Sequence, residues 1–133
     1  MNNFFPNKTA FITLIACCLV VIISLGIRQT FGLFYFDFST DLDITISQFG
    51  FAMGLQLFLW GAFNPLFGVI TDKYGGSIAI FIGFLFYLAG VLLFYLGFNT
   101  SVNFIYTIGI LIGVGLGSTA ISIPVSVVAK HYP

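Results

Sequence analysis

Two places in this chain set strongly polar side chains where chemistry can use them. Arg28 and Gln29 stand inside an uninterrupted apolar run, and Asp72 and Lys73 stand between two such runs, just ahead of Gly75 and Gly76. A guanidinium is permanently charged, and its planar fork of N–H donors matches a carboxylate with two parallel hydrogen bonds. An arginine deep in an apolar run faces a bundle interior or a wet cavity, which makes it a candidate anion-binding group. Two structural readings of Arg28 stay open beside that one. It can snorkel to the nearer membrane surface, or reach for Asp37, about 13 Å further along at 1.5 Å per residue, a long gap for a direct pair.

Other polar residues recur every four positions. Ser24, Arg28 and Gly32 form one trio, Gln56, Trp60 and Asn64 a second, and Ser118, Ser122 and Ser126 a third. That spacing keeps each trio on one helix face. Such side chains either line a site or tie helices together. Asn64 has a further task open to it, repairing the backbone around Pro65, which brings no N–H. Gly109, Gly113 and Gly117, with Gly115 between, repeat the small-residue spacing that lets helices approach closely. No nucleophile–base pair and no set of metal ligands is present, so no enzyme, metal or cofactor is expected. Cys17 and Cys18 lie side by side in an apolar run and serve as small hydrophobes. His131 has no partner at metal-ligand spacing and reads as a solvated loop residue.

The elements that must position these residues follow from composition. The 133 residues are 59% hydrophobic and 6% charged, against about 25% charged for a soluble domain, so this chain lacks a surface for water. The expected fold is all-α, a polytopic membrane protein with four transmembrane helices at about 11–36, 48–70, 78–98 and 104–129. Each is near or above the roughly 20 residues that cross a bilayer core. The first run outlasts the apolar stretch of a signal peptide, and no cleavage pattern follows it. Residues 1–10 form a short N-terminal segment, and 11–133 a single transmembrane domain. Lys8, Lys73 and Lys130 all fall on one side, which the positive-inside rule makes cytoplasmic. With zero net charge and no basic cluster, nucleic acid is not an expected partner; the lipid bilayer is. The third span has only Tyr87 and Tyr95 as strong hydrogen-bonding side chains, so it is expected outside, with the polar faces of the other three enclosing an interior.

With the loop and spans placed, Gly68-x-x-x-Asp72-Lys73-x-Gly75 resembles the signature loop between helices two and three of major facilitator superfamily transporters. Gly26-Ile27-Arg28-Gln29-Thr30-Phe31-Gly32 and Leu55-Gln56-x-x-x-Trp60-Gly61-x-x-x-Pro65 resemble the bacterial monocarboxylate-transporter-like and oxalate/formate-antiporter-like branch, as does the terminal Ala129-Lys130-x-Tyr132-Pro133. The resemblance covers essentially the whole chain. It implies a secondary transporter of small organic anions in the inner (cytoplasmic) membrane, working by alternating access. It implies substrate contacts from Arg28, Gln29, Gln56 and Trp60. Gly68, Asp72, Lys73 and Gly75 would form a conformational latch loop, with Asp72 meeting a helix N-terminus in a C-terminal half. Because such transporters have twelve helices, the four here are expected to be the first third of that fold. Two features depart from the pattern. Gly76, Ser77 and Ile78 lack the basic residues that usually close the loop, and Gly109 stands where proton-driven members carry an arginine, with no carboxylate in mid-membrane. Two other classes fit four spans: a stand-alone structural or assembly protein built on the glycine seam, and a small multidrug exporter. The latter is organised around a first-helix glutamate, whereas this chain has Arg28.

Overall fold

The computed structural model describes residues 8–96 and 100–130, and every regular element among them is helical. Expectations that fall on residues 1–7, 97–99 and 131–133 lie outside the described residues; they concern most of the N-terminal segment, the end of the third span, His131, and Tyr132-Pro133. Among the described residues, four helical runs are long and apolar enough to cross a membrane: Lys8–Leu33, Ile46–Tyr74, Gly76–Tyr95 and Ser101–Ala129.

The first run is α1 (Lys8–Leu33), and the chain restarts past Phe34 as the short α2 (Tyr35–Asp41). Helix α3 (Ile46–Tyr74) begins at a reciprocal cap. The Gln48 N–H donates to Thr45 Oγ1 at 3.3 Å, and the Thr45 N–H donates to Gln48 Oε1 at 3.0 Å. Two of the donors that any helix start leaves unpaired are thereby satisfied. At its other end α3 runs through Asp72 and Lys73 to Tyr74, four residues beyond the sequence reading. The hairpin shrinks to Gly75, whose N–H donates to Thr71 O at 3.0 Å before α4 (Gly76–Tyr95) starts. Gly75 has φ 95° and ψ 153°, a region that side-chain-bearing residues do not enter without strain.

The fourth run holds the centre. Of its most apolar window 72% is buried, against 17%, 11% and 22% for the other three runs in chain order. Phe104, Ile108, Ile112 and Leu116 fall at four-residue intervals along it and are each 0% exposed. Ile44, Ala52, Tyr87 and Ala120 complete that core. Towards the α2 end it closes with rings: Phe104 lies 5.5 Å from Phe38 and 5.8 Å from both Phe49 and Phe94, centroid to centroid.

The expected arrangement is corrected here. Helix α4 is not merely an outer helix, because its Ala79, Gly83, Tyr87 and Gly90 are buried. A Cβ added at Gly83 would meet Ser118 Oγ and the Gly115 carbonyl. Between helices in lipid, close fit holds segments together more than hydrophobic burial does. A helix short of polar side chains can therefore still belong to the core, provided one stripe is small. The other faces of α4, including Phe81, Phe84 and Leu85, remain exposed.

The fourth run is also not one straight helix. It comprises α5 (Ser101–Phe104), a π-helical turn (Ile105–Leu111), α6 (Ile112–Thr119) and α7 (Ser122–Ala129). The break at Ala120 and Ile121 sits where Pro124 demands it, since a proline ring clashes with the carbonyl four residues earlier and offers it no N–H. The serine trio is split as a result. Ser118 is buried and faces Gly83 of α4, whereas the Ser122 Oγ donates to Asn64 Oδ1 of α3 at 2.8 Å.

Candidate functional site

Arg28 occupies the penultimate turns of α1, and its guanidinium carbon lies 5.7 Å from the ring centroid of Trp60 on α3. A cation over an indole face is held by the ring quadrupole, most strongly where water is excluded. A cation–π contact uses none of the guanidinium's N–H donors, so they stay available to a ligand. Arg28 Nε is buried and has no hydrogen-bond partner among the described residues, which costs free energy until an acceptor arrives. One turn earlier, the Tyr87 hydroxyl donates to the Ser24 carbonyl at 2.9 Å, fixing this part of α1 against α4. The third span thus contributes indirectly, through one of the two tyrosines that the sequence singled out.

The other substrate-contact candidates are placed differently. Gln29, next to Arg28 on α1, is exposed. Gln56 is fully enclosed, and its Nε2 donates to the Ile108 carbonyl at 3.0 Å. The π-helical turn explains why that carbonyl is open. The Ile112 N–H reaches back to Thr107 O and so bypasses Ile108 O. Gln56 is therefore a tie between α3 and the fourth run, although its Oε1 is buried without a partner. The sequence brings Arg28 and Trp60 to the same place in the fold and sets Gln56 in the helix interface.

The glycine seam explains how α3 and the fourth run come so close. A Cβ at Gly109 would lie 3.3 Å from Ala52 O, at Gly113 3.0 Å from the Gln56 Cα, and at Gly117 3.0 Å from the Phe63 Cβ. Gly115 points the other way, where a Cβ would sit 2.7 Å from Gly83 O and 2.9 Å from the Tyr87 N. One helix is thus clasped on two sides, and Gln56 and Tyr87 are held in register by contacts that leave no room for a methyl group.

At the Gly75 end a second feature appears. A groove of about 510 Å³ runs between the C-terminal half of α3 and α7, lined in part by Asn64, Thr71, Asp72, Ser122 and Ser126. Asp72 is exposed on the last turn of α3 and Lys73 beside it is exposed too. Gly68 and Asp72 are one helical turn apart and both border the groove. Sequence reasoning did not join Asn64 to Ser122, because a four-residue spacing within one helix does not say which other helix it meets. Pro124 in the sequence predicts the bend found at Ala120 and Ile121, and Ser122 opens α7 just beyond it.

Four membrane-length helices, a Gly75 hairpin with Asp72 on its approach, and an arginine held inside the first helix are thus arranged around a central fourth span. A family model described as the Major Facilitator Superfamily matches residues 17–133. Neither the curated proteins nor the solved structures yield a match. With the family pattern running from within α1 past the end of α7, the chain belongs to the Major Facilitator Superfamily, the multi-pass secondary transporters of small molecules.

Proposed function

We propose that this protein moves small organic anions, with monocarboxylates as the substrate class, and that Arg28 is the group that receives the carboxylate. The observation that carries this reading is the Arg28–Trp60 pair: a guanidinium carbon 5.7 Å from the indole centroid, with a buried Nε that has no hydrogen-bond partner among the described residues. Bidentate hydrogen bonding from a fixed, partly desolvated fork is the recognition mode that favours a carboxylate over a neutral analogue. Trp60 supplies an apolar wall for the rest of a short acid, and Gln29 on the next position of α1 supplies a polar contact. Gln56 serves the same site by holding α3 against the π-helical turn. The resemblance of the helix-one and helix-two motifs to the monocarboxylate and oxalate/formate branch supports the same class.

Transport proceeds in this reading by alternating access, with two helical halves rocking about the site as symporters and antiporters do. Asp72 and its neighbours Gly68, Lys73 and Gly75 act as a latch that favours one of the two states. Lys8, Lys73 and Lys130 set the N-terminus and the Gly75 hairpin on the cytoplasmic side of the inner membrane, where Lys73 meets anionic headgroups. The test is uptake by the reconstituted protein of a labelled monocarboxylate and of the amide of the same acid. The acid is expected to accumulate with saturable kinetics, and the amide is expected to stay at the level of protein-free vesicles. Equal uptake of acid and amide would contradict an arginine-centred site.

A further inference from the structure

We propose that the π-helical turn Ile105–Leu111 is a register switch held by Gln56, and that its release opens the aromatic closure at the α2 end of the bundle. The two registers differ in which carbonyl one amide uses. In the structure the Ile112 N–H donates to Thr107 O, five residues back, and Gln56 Nε2 donates to the Ile108 carbonyl at 3.0 Å. In the second register the Ile112 N–H donates to Ile108 O, four residues back, and the turn becomes α-helical. The segment before the turn then rotates by about 100°, one residue's worth, relative to α6. Only hydrogen bonds are exchanged.

Packing and the Gln56 tie together select the π register. Phe104, Ile108, Ile112 and Leu116 recur every four residues, and in an α-helix each such step overshoots a full turn by about 40°. Three steps would spread them over about 120°. The extra residue in the π turn takes back about 100° of that, which is how all four come to be 0% exposed. The hold is incomplete: Gln56 Oε1 is buried with no partner among the described residues, which offsets part of what the Nε2 bond contributes. Beyond the turn, Gly113, Gly115 and Gly117 are clasped by α3 and α4 with no room for a methyl group. Rotation therefore falls on the segment before it. Phe104 stands there, with its ring 5.5 Å from that of Phe38 and 5.8 Å from those of Phe49 and Phe94. A turn of about 100° takes the ring out of all three contacts.

The test places pairs of spin labels on the chain in phosphatidylcholine nanodiscs, with Cys17→Ala and Cys18→Ala as background, and reads distances by double electron–electron resonance. Val102→Cys, before the turn, and Val125→Cys, on α7, are each paired with Leu57→Cys on α3 and with Leu85→Cys on α4; all four positions are exposed. Gln56→Met removes the amide donor and the stranded oxygen together and leaves an unbranched side chain of similar length, so the core stays filled. A point on the surface of a helix about 10–12 Å across moves by about 8 Å on such a rotation. In Gln56→Met a second distance, shifted by up to about 8 Å, is expected from Val102 to at least one partner, while the Val125 distances keep their wild-type values. Gln56→Asn keeps the amide but shortens its reach by one bond; it is expected to populate the second distance less, and it carries the test where Gln56→Met fails to insert. Val102 distances that stay at their wild-type values, or Val102 and Val125 distances that broaden together, would overturn the proposal. None of these outcomes depends on anion transport, so the switch and the Arg28 reading stand or fall separately.

Discussion

Arg28→Gln is expected to abolish carboxylate uptake while the protein still inserts and folds. The substitution keeps a polar, hydrogen-bonding side chain, shorter than arginine by two bonds, and removes the charge and the fork. Truncating one partner of a buried, hydrogen-bonded charge pair costs about 2–5 kcal/mol, much of it from stranding the other charge. That corresponds to roughly a 30-fold to several-thousand-fold loss of affinity at 1.4 kcal/mol per tenfold. Arg28→Lys discriminates further. It preserves the charge but not the planar fork, which lies 5.7 Å from the Trp60 ring centroid, so it is expected to rescue only part of the loss. If snorkelling were the role of Arg28, Lys would substitute fully and Gln would lower membrane insertion rather than uptake. Uptake kinetics together with the yield of inserted protein separate the two.

Gly115→Val is expected to have the largest effect on stability of any single change in the core. A Cβ there would meet the Gly83 carbonyl at 2.7 Å and the Tyr87 N at 2.9 Å. These are backbone atoms of α4, which cannot rotate away as a side-chain tip can. Relief requires α4 and α6 to separate, and forced overpacking of this kind costs about 1–3 kcal/mol or more. The Tyr87–Ser24 bond that steadies α1 near Arg28 would be strained with it. Gly54→Ala is the internal control, because nothing lies within 4 Å of its added Cβ. Replacing an interior helical glycine there is expected to leave stability unchanged or raise it by about 0.5–1 kcal/mol. Unfolding midpoints in lipid check both; equal midpoints for the two variants would mean that the α4–α6 contact is looser than described.

Most of the fold is legible in composition, because hydrocarbon permits so few backbone structures. Runs of this length and hydropathy must satisfy their own N–H and C=O groups, and a helix does so locally. The superfamily too was legible, since Asp72-Lys73 before Gly75 marks the hairpin at one fixed place. Where reading failed was in ranking the helices. Polar trios suggested which faces look inward, yet the deepest packing here is made by residues with almost no side chain. Gly83, Gly115 and Gly113 decide how close two helices come, and a glycine pattern on one helix does not say which helix it meets. The π-helical turn was illegible for a related reason: Gln56 and Ile108, whose bond accompanies it, are 52 residues apart. Thr45-x-x-Gln48 was readable as a capping box and would have set the start of α3. At the candidate site, a single residue type in an improbable place singled out Arg28, and spacing alone could not say that its guanidinium lies near the Trp60 ring.

Because Trp60 is the only tryptophan in the chain, its fluorescence reports on the stack with Arg28 without any label. A ligand that draws the guanidinium into a bidentate pair changes the field and contacts at the indole face. The protein in nanodiscs is expected to show a saturable change in Trp60 emission on titration with a short monocarboxylate. It is expected to show none with the amide of the same acid, and none with the acid after Arg28→Gln. An identical response to acid and amide, or a response that persists in Arg28→Gln, would contradict the assignment of Arg28 as the carboxylate-binding group.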